Sequence, residues 1–382
     1  MKALFLPFLQ MNSGHHSVAD ALIRSLEQRI ANIECRKIDF FSYADKLLEK
    51  AFRITYLTWI DHAPQSFELL YRKFVYPSKS SKHFNLFEAK FLDKMKMLIN
   101  QEKPDLIVCT QALPSFLINR LRCSGIHTPP VINVYTDFFI NKLWGLEKID
   151  YHFVPNQEIR FELINSHKIN SSKIFVTGIP IDECFQPRDF FPPHPPYNIL
   201  ISGGSGGLGD LESLIASLDE DDNYFYSILC GQNNKLYKEI VSLNKKNVKP
   251  LSFISSRETM NNLYNQAHAI ITKPGGVTLS EALYKRLPIF THSCLPGQEE
   301  INKQYLLSKK LIYLLDPKTS VARQLDRFFN DSQEQIRWYN RVKAYYEQIE
   351  CPAWQKTMEI IIQLPECSKH FSENLSFSSS TS

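Results

Sequence analysis

Two glycine-rich stretches and one histidine hold the chemistry that this sequence offers. The first stretch is Thr272-Lys-Pro-Gly-Gly-Val-Thr-Leu-Ser-Glu-Ala-Leu283, with its sequel Pro296-Gly-Gln-Glu-Glu-Ile-Asn302. Gly275 and Gly276 carry no side chain, so backbone N–H groups there can approach a phosphate. A helix beginning at Val277 would aim its positive N-terminal end at the same anion. Glu281, about one turn further on, is too near a diphosphate to serve it and is placed instead to accept hydroxyl hydrogen bonds from a ribose. The alternative is a strand, glycine turn and helix that bind nothing.

The second stretch, Ser202-Gly-Gly-Ser-Gly-Gly-Leu-Gly209, follows an apolar run and offers Gly203, Gly204 and Ser205 as a further phosphate cradle. It also spells G-x-G-x-x-G. A nicotinamide dinucleotide would need an acidic residue at the end of the next strand, and that strand ends Leu229-Cys-Gly-Gln232, without one. In Ser13-Gly-His-His16, His15 is a candidate general base, because imidazole titrates near neutrality. The competing reading is a helix-capping loop with a solvated histidine pair. Asp137, in Tyr135-Thr-Asp-Phe138, ends a strand of the same half and is expected to orient the histidine or meet an acceptor hydroxyl; an N-cap is the competing reading. Asp219-Glu-Asp221 has the look of a metal triplet, but it falls between a helix and a strand and reads as a surface turn.

These residues need a frame. Residues 2–8, Ile33–Ile38, Asp105–Cys109, Val131–Tyr135, Tyr151–Val154 and Ile174–Thr177 read as strands alternating with helices. Their nearly continuous apolar character predicts a parallel sheet covered on both faces. Gln186–Tyr197 holds five prolines in twelve residues and is the expected linker. The alternation then restarts with strands at 198–202, 224–229, 251–254, 268–271, 288–291 and 311–315. The stretch 331–364 reads as helix broken at Cys351-Pro352. The expectation is an α/β protein of two doubly wound, Rossmann-like halves facing a cleft: 1–186, then 187–350. Residues 351–365 form a C-terminal helix able to pack back on the first half, and 366–382 a disordered Ser-rich tail.

Composition narrows the class. With 382 residues, 43% hydrophobic and 22% charged, the chain is long enough for two cores and balanced like a soluble protein. The N-terminal apolar run is too short for a signal peptide, which predicts a cytoplasmic protein. The eight cysteines are spread without a C-x-x-C pair, so neither a zinc site nor a disulfide framework is expected. A net charge of +4 does not point to nucleic acid. Residues 45–103 contain 11 Lys/Arg against 7 Asp/Glu, so that stretch alone equals the excess of the whole chain. Within it Phe52 and Trp59, then Phe67, Tyr71 and Phe74, recur at helical spacing beside Arg72 and Lys73. Such faces suit an anionic membrane surface, and equally suit packing on the domain's own sheet.

Together these residues resemble the monogalactosyldiacylglycerol synthase and processive diacylglycerol glucosyltransferase family, inverting glycosyltransferases of the GT-B fold. The resemblance runs from Met1 to about Leu315. It rests on Ser13-Gly-His15, Thr136-Asp-Phe138 with Trp144, Asp150-Tyr-His-Phe-Val154 and Val176-Thr-Gly-Ile-Pro-Ile181, and most specifically on Thr272-Lys-Pro-Gly-Gly, Ser280-Glu-Ala-Leu and Pro296-Gly-Gln-Glu-Glu300. It implies a UDP-hexose in the second half, diacylglycerol or another lipid acceptor in the first, and peripheral attachment to the inner face of the cell membrane. No metal or other cofactor is expected. Carried over by position, Gly275 and Gly276 face the diphosphate, Glu281 the ribose, and Gln298 and Glu299 the sugar hydroxyls, with Lys273 in the same donor set. His15, supported by Asp137, lies at the reaction centre; Trp144 joins the acceptor- and membrane-facing residues. Where the family often has a histidine before that tryptophan, this chain has Asn141, and its first loop is poorer in glycine. A UDP-sugar 2-epimerase of similar fold and a non-catalytic UDP-sugar sensor are the other readings.

Overall fold

The computed structural model describes residues 1–7, 14–47, 82–189, 192–204, 211–294 and 297–364, the side chains of 82–87 excepted. The first half builds one sheet from β1 (Lys2–Leu6), β2 (Glu34–Lys37), β3 (Leu106–Cys109), β4 (Val131–Val134), β5 (Tyr151–Val154) and β6 (Ile174–Val176). All pairings are parallel, in the order β2-β1-β3-β4-β5-β6. Every residue of β3 and β4 is buried, as a strand sandwiched between helix layers requires. The helices are α1 (Gly14–Glu27), α2 (Phe40–Ala44), α3 (Lys82–Glu102), α4 (Ala112–Cys123) and α5 (Gln157–Asn165). In α1, Val18, Ala19, Leu22 and Leu26 form the buried stripe, each large side chain contributing about 1.5–3 kcal/mol.

The second half repeats the plan with β7 (Tyr197–Ser202), β8 (Tyr224–Leu229), β9 (Val248–Leu251), β10 (Ala269–Thr272), β11 (Ile289–Thr291) and β12 (Tyr313–Leu314). The order is β12-β11-β10-β7-β8-β9, again all parallel. Its helices are α6 (Leu211–Ala216), α7 (Asn234–Leu243), α8 (Arg257–Gln266), α9 (Gly276–Tyr284), α10 (Gln298–Ser308) and α11 (Val321–Phe329). One strand lies elsewhere than the apolar pattern predicts: β9 is 248–251, not 251–254. It is an edge strand, where Pro250 is tolerated because the missing N–H faces away from the sheet.

Two helices come last among the described residues, α12 (Ser332–Tyr346) and α13 (Ala353–Ile362), with Pro352 between them as the N-cap of α13. α12 ties the halves together: the Tyr345 hydroxyl donates to Pro155 O at 3.0 Å and that of Tyr346 to Ser280 O at 3.0 Å. α13 lies on the first half, where the Arg29 guanidinium stacks over Trp354 at 4.0 Å and the Lys356 ammonium sits over Phe175 at 4.1 Å. Between β6 and β7 the chain runs without helix or strand through the described part of the linker, pinned by Arg188 to Ala267 O (2.8 Å) and by an Arg24–Asp182 ion pair.

In each sheet the strand order reverses direction once, between β1 and β3 and between β7 and β10. Crevices at such switch points, outside the carboxyl ends of the strands, are where open α/β sheets bind ligands. The two crevices face each other.

Candidate active site

His15 stands on the first turn of α1, the helix that follows β1, and Thr110 directly beyond β3. The switch point therefore brings them together. His15 Nδ1 lies 3.0 Å from the Thr110 carbonyl oxygen and 2.9 Å from the Thr136 hydroxyl, while the Thr110 hydroxyl donates to His15 O at 3.0 Å. A carbonyl oxygen can only accept, so Nδ1 carries the proton and Nε2 is the basic nitrogen. The ring is half-buried. Desolvation lowers its pKa to about 4, opposed by the Thr110 carbonyl and assisted by the neighbouring His16. The imidazole is therefore neutral at pH 7, with a lone pair ready.

Asp137 does not support this histidine. Its carboxylate accepts from the Asn302 amide at 2.8 Å, and burial raises its pKa. The orienting role falls to Thr110 and Thr136. His16 pairs with Asp39 at 3.6 Å. Asn141 accepts from the Leu143 N–H at 3.0 Å and closes the turn leading to Trp144. Trp144 is 7% exposed and packs on Tyr135 with ring centroids 4.6 Å apart. It is a core side chain and presents no face to a membrane or acceptor. Phe52, Trp59, Phe67, Tyr71, Arg72, Lys73 and Phe74 lie outside the described residues, as does Ser205.

Across the cleft, β10 delivers Lys273 to the crevice and α9 starts at Gly276. The two glycines differ in kind. A Cβ on Gly276 would fall 2.1 Å from the Thr136 carbonyl oxygen, so this position is bare because the other half lies against it. A Cβ on Gly275 would meet nothing within 4 Å. Gly14 likewise faces Val277, which a Cβ there would approach to 2.8 Å. The N-terminal turns of α1 and α9 thus abut, which brings the start of α9, with its unpaired first-turn N–H groups, against the turn that carries His15. Gly203 and Gly204 follow β7, and Gly204 lines the same cleft. Gly204 has φ +75°, a left-handed turn that favours glycine, and its N–H donates to Ser202 Oγ at 3.2 Å.

Glu281 is buried, accepts from the Tyr264 hydroxyl at 2.9 Å and lies 3.7 Å from Arg257. Burial raises its pKa, with Arg257 and Tyr264 opposing. Lys273 pairs with Glu299 at 3.5 Å, and Gln298 opens α10 after Gly297, whose φ of +98° suits glycine. The cleft lined by Gly14, Ser202, Gly204, Phe253, Arg257 and Glu281 encloses about 400 Å³. Sequence reasoning missed Arg257, Tyr264 and Phe253 in its wall. Arg257 directly follows Ser256, the N-cap of α8, and its Nη2 donates to Ser17 Oγ of the first half at 3.1 Å. Among the described residues no cluster of His, Cys, Asp and Glu is arranged to hold a metal, and Asp219 and Asp221 accept from Asn247 through backbone carbonyls, in a surface turn.

A family model of monogalactosyldiacylglycerol (MGDG) synthase matches residues 15–181, and one of glycosyl transferases group 1 matches residues 206–345. An uncharacterized glycosyltransferase of Bacillus subtilis (strain 168), YkoN, is 40% identical over 342 residues, covering 88% of this chain and 91% of the relative. The chain belongs to the monogalactosyldiacylglycerol synthase and diacylglycerol glucosyltransferase family. A processive diacylglycerol beta-glucosyltransferase of Bacillus cereus (strain B4264) is 26% identical over 347 residues, 87% of each chain. Among solved structures, an S. aureus MnaA–UDP complex superposes with a TM-score of 0.59 at 14% identity, covering 96% of this chain and 97% of that one. The glycosyltransferase SnogD from Streptomyces nogalater gives 0.59 at 14% identity, covering 94% and 98%. The fold is GT-B, and this family member is a glycosyltransferase.

Proposed function

We propose that this glycosyltransferase moves a hexose from a UDP-sugar to a lipid hydroxyl, with diacylglycerol as the first candidate acceptor, by a single inverting displacement. The observation that carries this reading is the hydrogen bonding of His15 Nδ1 to Thr110 O and Thr136, which leaves Nε2 as the basic nitrogen on a helix turn that abuts the start of α9. In the reaction the acceptor oxygen bonds to the anomeric carbon as Nε2 takes its proton. The bond from that carbon to the diphosphate breaks, and the electron pair leaves with UDP. A pKa near 4 makes free His15 a weak base. The departing diphosphate develops negative charge as the imidazole becomes positive, so each stabilises the other in a site poor in water.

The first turn of α9 and the glycine turn after β7 are the groups assigned to the diphosphate, Glu281 to the ribose, and Gln298 and Glu299 to the hexose. Phe253 leaves an apolar wall for the base. This reading assigns diphosphate stabilisation to helix α9 and invokes no metal. Among the described residues no helix is long and apolar enough to cross a membrane. Because a lipid acceptor must be met at a membrane surface, this reading places the enzyme peripherally on the cytoplasmic face, with the basic 45–103 stretch toward anionic lipid.

The deciding experiment is a donor-by-acceptor screen: UDP-glucose, UDP-galactose and UDP-N-acetylglucosamine, each with and without diacylglycerol vesicles. Lipid-dependent UDP release with one donor is expected. Conversion of the sugar nucleotide without lipid would instead identify an epimerase, and binding without turnover a sensor.

A further inference from the structure

We propose that Asn302 is a positioning residue that couples the donor-holding helix α10 to the base His15 in the opposite half. The inference rests on the reading of His15 and α10 given above. Asn302 is fully buried. Its Nδ2 donates to Asp137 Oδ1 at 2.8 Å and to Pro274 O at 3.2 Å, and its Oδ1 accepts from the Phe138 N–H at 2.9 Å. Both amide hydrogens and the carbonyl are thus engaged. Asp137 and Phe138 belong to the loop after β4, whereas Pro274 lies between β10 and α9. One side chain therefore bridges the turn that faces the diphosphate and a loop of the other half.

Each end of the bridge leads to a reacting group. On α10, Gln298 and Glu299 lie four and three residues before Asn302, on one helix face. In the opposite direction, Thr136 adjoins Asp137 and holds His15 Nδ1 at 2.9 Å, with its carbonyl against Gly276. Phe138 stacks on Tyr305 of α10 with ring centroids 5.6 Å apart, so the loop is clamped from two sides. A hexose drawing on Gln298 and Glu299 fixes α10. Asn302 then holds the 136–138 loop, and that loop holds the imidazole. The base is aimed only when the donor sugar is seated and the halves are shut, a condition that disfavours hydrolysis of the donor by stray water.

The amide is the required group, because it alone donates to Asp137 while accepting from Phe138. Asn302→Asp keeps the acceptor for Phe138 but sets a carboxylate against that of Asp137. The other titratable groups on the adjoining segments are Lys273 paired with Glu299, Lys303 paired with Glu300, and the neutral His15 beyond Thr136. At neutral pH the two carboxylates repel; as pH falls they share a proton and the bridge re-forms.

The test uses the full-length protein with Asn302→Ala and Asn302→Asp. Binding of UDP-glucose is measured by calorimetry, and amide exchange of residues 134–140 is followed with and without it. Turnover is measured with UDP-glucose and diacylglycerol vesicles across pH 5–8. In the wild type, UDP-glucose is expected to slow exchange of this segment. Both variants should bind it within about threefold of the wild type yet lose that slowing, and kcat should fall by roughly 100-fold, the effect of about 1 Å of misplacement at a reacting group. Asn302→Asp should regain kcat toward pH 5 while the wild type does not. Unchanged kcat with retained slowing would overturn the proposal, and so would an Asn302→Asp profile parallel to the wild type. Should Asn302→Ala not fold, Asn302→Asp decides. Absence of turnover in the wild type would sink the functional reading alone, since the exchange measurement needs no turnover.

Discussion

Replacing Gly276 by alanine tests the contact between the halves at the helix start that the proposed function assigns to the diphosphate. An ideal Cβ there would lie 2.1 Å from the Thr136 carbonyl oxygen, 3.1 Å from its carbon and 3.2 Å from Asp137 Cα. These are backbone atoms, which have no rotamer into which to retreat. Contacts closer than 3.0 Å are essentially never made by real Cβ atoms, so the halves must part by about 1 Å at this point. Because they meet across a linker and a cleft, parting relieves the overlap with little loss of core packing, and the melting temperature should stay within a few degrees of the wild type. Thr136 moves with His15, so a displacement of about 1 Å should lower kcat by roughly 100-fold. Under the proposed donor assignment most nucleotide contacts come from the second half, so UDP affinity should change by less than about threefold. Gly275→Ala is the matched control: it has open space around its Cβ and an ordinary φ of −77°. It should keep kcat, and any loss should appear in donor affinity, where a methyl intrudes on the phosphate. The assay is UDP release with vesicles for turnover and calorimetry for UDP. Wild-type kcat in Gly276→Ala would refute the closed geometry, and equal effects of the two substitutions would refute the division of labour between the glycines.

His15→Ala should abolish transfer while leaving UDP affinity intact, and loss of nucleotide binding would reassign the residue. Because desolvation lowers the His15 pKa to about 4, the active neutral base persists down to that value and is lost only below it. The acid limb of kcat/KM due to this group should therefore lie well below pH 6, and a limb at 6.5 would mean a solvated ring. Tyr264→Phe removes the hydroxyl that donates to buried Glu281 and should weaken donor binding by about 1–3 kcal/mol, roughly 5- to 150-fold, read by calorimetry. Trp144→Ala should destabilise the fold by about 3–5 kcal/mol in urea titration, the cost of a cavity beside Tyr135. Unchanged stability with lost vesicle binding would return that residue to the membrane face.

The frame was legible because a parallel strand buried on both faces is written as an uninterrupted apolar run. Ala3–Leu6 and Ala269–Ile271 are fully buried and stood out at once. β9 broke that rule for a physical reason: on a sheet edge, Val248-Lys-Pro-Leu251 needs neither continuous apolarity nor every N–H. Trp144 misled because an aromatic in a loop carries no periodicity. Only its contact with Tyr135 reveals that it is core.

The site divides along the same line. What is local, namely glycines after a strand, a carboxylate one turn into a helix and a histidine at a strand–helix junction, can be read in order along the chain. What makes those groups act together spans 95 residues from His15 to Thr110, 121 from Thr136 to His15, 165 from Asn302 to Asp137 and 240 from Arg257 to Ser17. No spacing rule reaches that far. Gly276 shows the consequence. Its absent side chain fits a phosphate cradle, which local sequence suggests, yet the tighter demand comes from the Thr136 carbonyl of the other half. On the proposed reading one missing methyl would serve both purposes: the same bare helix start that leaves room for an anion also lets the half that carries His15 approach it.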